Sequence, residues 1–344
     1  MNKNNRLKNK SVFHKIIDIT DNQGETQLNS PQLNNLSTVI VDKFVRLEGI
    51  KDFAITKPYL NSKYIEYYKY WLNSGFNSSM QWMEKNADER GNLQIRFPWA
   101  RSVIVFADNY YVDKSRNENT LKISRYAWGD DYHKVLLKKI KRILENLKQY
   151  DKTIEGKAYV DTGPILEKCF AIESGLGWMG KNSQIIIPNV GSYVFLGVLI
   201  LNKEFEEYGN PIESRCGDCT KCVDNCPTGA IVENYTIDCN KCISYFSIEK
   251  KDDFTPQEEK WLRDWLYGCD MCLESCPWNK KWAKTSGEIS YFNRIEMLER
   301  SVNEWKDLTE EEFGKLFQKN VFKRLKYQRF RRNLLANIKN IENK

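Results

Sequence analysis

The chain has 344 residues, 41% hydrophobic and 13% aromatic, so it can bury a sizeable core and is not intrinsically disordered. No apolar run reaches the ~18 residues of a membrane span, and the Lys/Asn-rich N-terminus lacks an apolar signal core and twin arginines, so a cytoplasmic protein with no membrane partner is expected. The net charge of +7 is modest but uneven: Lys315 to Arg332 holds eight Lys/Arg and no acid, a face suited to a polyanion such as RNA or simply to solvent.

Residues 1–34 have little hydrophobic pattern and read as a flexible polar arm. A helical period runs through Val39, Ile40, Phe44 and Leu47 to Gly49, with a short strand at Phe53-Ala54-Ile55. Tyr64 to Leu72 reads as an aromatic helix, and Arg101 to Ala107 as a buried strand. A helix is predicted from about Asp131 to Tyr150, its apolar face Val135, Leu136, Ile140, Ile143, Leu144 and Leu147, with Lys138, Lys139, Lys141 and Arg142 towards solvent. Ala158 to Asp161 ends a strand at Thr162-Gly163-Pro164, and a helix then runs to about Ser174. Ile185-Ile186-Ile187 and Tyr193 to Leu201 read as two strands joined by a turn at Asn189 to Gly191. The alternation implies an α/β or α+β first domain.

The stretch from Cys216 to Cys276 organises the rest. Cys216-x-x-Cys219-x-x-Cys222-x-x-x-Cys226-Pro227 has the spacing of bacterial ferredoxins, in which the fourth thiolate ligates the other cluster. Cys269-x-x-Cys272-x-x-x-Cys276-Pro277 closes the stretch, with Cys239 and Cys242 between. Two [4Fe–4S] clusters take eight thiolates, and this stretch holds nine. The pairing inferred is Cys216, Cys219, Cys222 and Cys276 for one cluster, and Cys226, Cys242, Cys269 and Cys272 for the second. A single zinc would leave too many thiols over. Cys239 is the alternative to Cys242; Cys239 and Cys169 otherwise read as free thiols.

Gly175-x-Gly177-x-x-Gly180 has the glycines of a dinucleotide fingerprint but follows a helix and lacks the later acid, so it is read as close backbone approach to a flat ligand. Asp161, at a strand end, is a candidate general acid with its pKa raised by desolvation, or else a helix-capping or turn-forming residue. His133 follows Asp131 and Tyr132 without the rest of a cobalt-ligating signature and reads as a surface helical histidine; the only other histidine is His14.

In this order, the motifs resemble epoxyqueuosine reductase, the cobalamin-dependent iron–sulfur family of tRNA queuosine synthesis. They are Arg125-Tyr-Ala-Trp-Gly-Asp-Asp-Tyr-His133, Val160-Asp-Thr-Gly-Pro-Ile-Leu-Glu167, Gly175-Leu-Gly-Trp-Met-Gly-Lys-Asn182, Gly191-Ser-Tyr-Val-Phe-Leu-Gly197, Cys242-Ile-Ser-Tyr-Phe-Ser-Ile-Glu249, Tyr267-Gly-Cys-Asp-Met-Cys272 and Cys276-Pro-Trp-Asn279. The resemblance spans roughly 36 to 340 and implies a nitroreductase-like cobalamin-binding domain fused to a two-cluster ferredoxin-like module and a short helical tail. It implies that Asp161 is the proton donor. It also implies that Arg90, Ser124, Asp161, Asn182, Ile185, Leu196, Ser244 and Asp270 surround the cobalamin, and that Lys250 meets tRNA. The lack of a histidine ligand motif agrees with cobalamin held without a protein imidazole. Val198 stands where the family often has Glu, Cys239 replaces a small residue, and no helical-repeat domain follows the tail.

The expected boundaries are 1–34 for the arm, 35–211 for the cobalamin-binding catalytic domain, 212–282 for the cluster module and 283–344 for the basic helical tail. The expected function is reduction of epoxyqueuosine to queuosine in a tRNA anticodon loop, by a monomer fed by an external electron donor through two [4Fe–4S] clusters and cobalamin. The alternatives are a dehalogenase-like corrinoid reductase of another small substrate and a ferredoxin-type electron carrier.

Overall fold

The computed structural model describes residues 35–117 and 120–343, so the N-terminal arm and His14 lie outside the described residues. Contacts group Asn35–Lys344 into one compact unit.

Its centre is a four-stranded sheet of β1 (Asp52–Thr56), β2 (Ser102–Asn109), β3 (Gly156–Tyr159) and β4 (Val194–Leu201), in the spatial order β1-β2-β4-β3. Every neighbouring pair is antiparallel, with Ile104 opposite Leu199 and Asp108 opposite Phe195. The run of apolar residues in β2 and β4 reflects a sheet covered on both faces. Ile104, Phe106, Phe195 and Leu199 share a core with helix α2 (Tyr132–Tyr150), through Leu136, Ile140, Ile143 and Leu147. The alternate residues Val103, Val105, Leu196 and Val198 pack instead with Phe170 and Ala171 of helix α3 (Glu167–Glu173). This strand period of two sets the register by burial.

Ile185–Ile186 and β4 are two strands joined by a turn, as expected, and the first pairs with Trp178–Met179 in a separate ribbon because the sheet edges beside β4 are taken by β2 and β3. One expectation changes. Lys139 of α2 is not solvated: only 5% exposed, its ammonium lies 2.8 Å from Asp108 and 2.9 Å from Glu288, and the Tyr291 hydroxyl donates to the same Asp108 oxygen. A buried carboxylate on β2 needs a cation, and α2 supplies it.

The tail has an aromatic core of its own, in which Trp305, Phe313, Phe317, Phe322 and Phe330 pack with Trp128 and Tyr267. Its last helix, α5 (Lys326–Glu342), covers the parallel pairing of Lys122–Ile123 with Trp265–Tyr267. Asn333 and Asn337 of α5 donate to the Leu266 and Trp265 carbonyls, so the tail closes over the segment leading into Cys269.

Removing one partner of a buried ion pair typically costs ~3–5 kcal/mol. Lys139→Met strands Asp108 and Glu288 and should lower unfolding free energy by that amount in urea titration of the cofactor-loaded protein. A loss within the scatter of surface mutations would show that the network contributes nothing net.

Candidate functional site

Asp161 lies two residues beyond β3 with φ +54°, a left-handed conformation that costs a non-glycine residue about 1–2 kcal/mol. It does not cap α3, whose N-cap is Leu166 with no side-chain bond. Its backbone N–H donates to Glu167 Oε1 at 2.8 Å, and the Leu166 N–H donates to the Arg90 carbonyl at 3.0 Å, which fixes the loop against Arg90.

On the side-chain side, the Tyr132 hydroxyl donates to Asp161 Oδ2 at 2.6 Å, and His133 Nε2 lies 3.6 Å from the same oxygen. Both come from the first turn of α2, which Asp131 caps by accepting the His133 N–H; Asp131 Oδ1 also meets His133 Nδ1 at 2.7 Å. The Tyr132 ring is stacked parallel on Phe195 of β4 with centroids 4.1 Å apart, so the sheet fixes its angle. His133 is therefore not a surface histidine: its side chain is 14% exposed and both ring nitrogens face carboxylates, which leaves none to ligate cobalt. Tyr132, His133 and Glu167 were missed as site residues. The available signal was the Asp131-x-His133 cap, which places the first turn of α2, but nothing in the spacing brings that turn to Asp161.

The electrostatics also differ from expectation. Burial pushes Asp161 up, but hydrogen bonds from His133 and Tyr132 and the His133 charge outweigh it, so its pKa is lowered. Its carboxyl remains 58% exposed and open to a ligand. Glu167 moves the other way, raised by burial and by the Asp161 charge. Burial lowers His133, yet Asp131 and Asp161 overcome it and lift it to about 9. At neutral pH the protons of this cluster rest on His133 and Glu167 while Asp161 is ionised. Lys168 donates to the Ser183 carbonyl at 3.0 Å and feels the charges of both Asp161 and Cys272, so the acid cluster and the cysteines share one neighbourhood.

The cysteines fall into two sets. Cys216, Cys219, Cys222 and Cys276 line one cavity of about 210 Å³ with Gly180, Lys181, Asn182 and Arg215. Burial raises the Cys242, Cys269 and Cys272 thiols, and neighbouring thiols add to it: Cys226 acts on Cys242 and Cys272, and Cys242 acts on Cys269 and Cys272, so the four lie close together. Cys239 neighbours Cys242, and its N–H donates to the Phe76 carbonyl. Backbone N–H groups already point at these sulfurs, from Ala230 to Cys226, from Ser244 and Tyr245 to Cys242, and from Trp278 and Asn279 to Cys276. Among the described residues no three His, Cys, Asp or Glu converge as a single ion would require. Thiols spaced around a volume and supplied with N–H donors fit cubane clusters, which present metal at several corners.

Of the other expected cofactor contacts, Ser124 donates to Asp270, whose second oxygen accepts from Arg116 and the Arg125 N–H, so both side chains are committed inside the protein. Asn182 reaches the Cys272 carbonyl at 3.4 Å. Ile185 and Leu196 lie in the same apolar cluster under the sheet. The Arg90 guanidinium donates to the Lys85 and Trp82 carbonyls. Ser244 lies in the first turn of the helix Ile243–Ile248, whose N-cap is Cys242. The glycine run serves mainly the chain itself: Gly175, at φ +72°, ends α3 against Asn210, and a Cβ on Gly177 would meet the Ile186 carbonyl at 2.5 Å.

The basic tail is partly consumed. Arg329, Arg331 and Arg332 donate to backbone carbonyls, and Lys315 and Arg324 pair with Glu311 and Glu249. Lys319, Lys323 and Lys326 are exposed and in no ion pair among the described residues. Lys250 is 3.2 Å from Glu258 and 17% exposed, and its carbonyl accepts from Arg332.

A family model described as "Epoxyqueuosine reductase QueG, DUF1730" matches residues 90–162, and one described as "4Fe-4S double cluster binding domain" matches residues 215–279. A relative named epoxyqueuosine reductase from Cellulophaga algicola is 39% identical over 77% of this chain and 86% of its own length. A crystal structure of epoxyqueuosine reductase with a tRNA-Tyr epoxyqueuosine-modified stem loop aligns with TM-score 0.80 and 27% identity, over 88% of this chain and 80% of that one. The Bacillus subtilis epoxyqueuosine reductase, described with its aspartate catalytic loop swung out of the active site, aligns with TM-score 0.80 and 26% identity over 88% of this chain and 81% of that one.

His133 is raised, so its ion pairs stabilise the fold fully below the ordinary value near 6.5 and that contribution is lost as pH rises through about 9. In a His14→Gln variant, the remaining imidazole should titrate by NMR with a midpoint near 9. A midpoint at the ordinary value would remove the charged His133–Asp161 contact.

Proposed function

Because the chain belongs to the epoxyqueuosine reductase family, we propose that Asp161 is the residue that meets the epoxide oxygen while the enzyme converts epoxyqueuosine in tRNA to queuosine. The reaction consumes two electrons and two protons and releases the oxygen as water. Cobalamin, when bound, supplies a strongly reducing, nucleophilic centre, and the two [4Fe–4S] clusters supply electrons one at a time. Cys216, Cys219, Cys222 and Cys276 hold one cluster; Cys226, Cys242, Cys269 and Cys272 hold the other. Arg90, Asn182, Ile185, Leu196 and Ser244 border the cobalamin, while Ser124 and Asp270 shape that pocket through their bond to each other.

The observation that carries this reading is the convergence of Tyr132 and His133 on one oxygen of a left-handed, accessible aspartate. An epoxide oxygen leaves as an alkoxide unless it is protonated. Asp161 is ionised at rest, so the proton it delivers comes from His133 through the shared Oδ2. Tyr132 holds that oxygen in place, and Asp131 holds the imidazole by its other nitrogen. Glu167, itself inclined to stay protonated, accepts the Asp161 N–H and keeps the strained loop closed. Lys250, with the exposed Lys319, Lys323 and Lys326, contacts tRNA phosphates. The domain limits at 211 and 282 divide catalytic domain, cluster module and tail.

Asp161→Asn keeps the shape but breaks the relay, and single-turnover reduction of epoxyqueuosine tRNA should fall by ~10²–10⁴-fold with cobalamin and iron content unchanged. A loaded variant turning over at the parent rate would remove Asp161 from the reaction.

Anaerobically purified protein should hold about eight iron per chain. Cys242→Ala should lose a cluster and Cys239→Ala should not; the reverse pattern would exchange their roles.

A further inference from the structure

We infer that the face bearing Lys280, Lys281 and Lys284, beside the Cys216–Cys219–Cys222–Cys276 cavity, is the docking surface for an acidic one-electron carrier protein. The inference rests on the cluster assignment above.

Seven of the eight cysteines are half-buried and Cys276 is buried, so the two sets differ in what surrounds them. The stretch 213–221 carrying Cys216 and Cys219, irregular up to the helical turn at Lys221, is mostly exposed. In the second set, Cys242 and Cys269 pack against the apolar cluster of Tyr245, Phe246 and Trp265, and Cys272 packs against the core of the sheet domain, near the Lys168 that also neighbours Asp161. Electrons therefore have an outer port at the first set and an inner exit, at the second, towards the acid cluster.

Around the outer port the charge is one-sided on the helix α4 (Pro277–Trp282) and its continuation. Between Cys276 and Thr285 there are three lysines and no acid. Lys280, Lys281 and Lys284 are all exposed and in no ion pair among the described residues. Pro277 and Trp278 of the same helix line the cavity, and the Lys281 ammonium lies 5.8 Å from the Trp278 ring and 5.9 Å from the Trp282 ring. Arg215 stands at the cavity's other wall, over Trp178. The exposed acids nearby are Glu213, Asp218 and Asp224, on the opposite arm, and Asp224 is held by the Thr220 hydroxyl. Half-buried indoles under exposed ammonium groups give an apolar centre with a cationic rim, the composition of a transient docking site. The partner is thus acidic around its own redox group. Each encounter oxidises the carrier by one electron and reduces the outer cluster by one, so two encounters supply the two electrons of a turnover.

The test uses loaded enzyme carrying Lys280→Glu with Lys281→Glu, reduced flavodoxin as the carrier probe and dithionite as the small-reductant control. Bleaching of the cluster absorbance is followed by stopped flow. At low ionic strength the second-order rate with flavodoxin should fall at least about tenfold in the variant. The parent should slow as salt is raised, and the dithionite rate should be unchanged. An unchanged flavodoxin rate would overturn the proposal, as would an equal loss of affinity for an anticodon stem loop, which would assign the face to RNA. If the reversed charges prevent loading, Lys280→Gln and Lys284→Gln carry the same comparison with smaller expected changes. Failure of the cluster assignment is separate: it shows as a parent chain with well under eight iron, whatever the carrier kinetics.

Discussion

Bringing Cys276 to the cavity of Cys216, Cys219 and Cys222 is the constraint on which the rest of the structure depends. The segment between the two cysteine arms must leave and return, and on its return Trp265–Tyr267 pairs with Lys122–Ile123. That pairing sets Asp270 beside Ser124, Arg116 and Arg125, so the residue between two thiols of the second set is also the bolt that fastens the cysteine module to the sheet domain. A buried carboxylate with this many donors is hard to shift without stranding several of them. The module and the sheet are consequently one compact unit.

The acid cluster is built on the other side of the same frame. Its unusual feature is that two opposing forces act on one carboxylate. Burial resists charge on Asp161, while Tyr132 and His133 favour it, and the second force prevails. The charge that Asp161 keeps then helps to raise Glu167. A deprotonated aspartate next to groups inclined to keep protons is an arrangement suited to proton transfer. The left-handed backbone at Asp161 is strain that the Glu167 and Tyr132 contacts hold in place, as is common where function sets the geometry.

The tail is more than a basic appendage. Its arginines spend their donors on the carbonyls of the Phe246–Asp252 segment and of Lys306, and Arg332 lies over the Phe254 ring at 3.9 Å. The same segment carries Lys250. The tail thus shapes the region proposed to meet tRNA, and among the described residues the lysines it leaves out of ion pairs are fewer than its composition suggests.

The sequence by itself determined the periodic elements and the presence of a double-cluster cysteine module, because both rest on short-range rules. Apolar runs mark β2 and β4, the 3.6-residue period marks α2, and two-residue spacers bring thiols of one turn together. Asp161 was also legible, from its place at a strand end before Thr162-Gly163-Pro164. Only the tertiary structure decided what surrounds it. Tyr132 and His133 reach Asp161 because β4 lies between β2 and β3 and presents Phe195 as a platform for Tyr132, an arrangement no local pattern encodes. For the same reason Lys139, a solvent residue by periodicity, became a buried partner of Asp108, and the sign of the Asp161 shift reversed. Burial and charge are sums over neighbours distant in sequence, so the pattern of one segment cannot supply them.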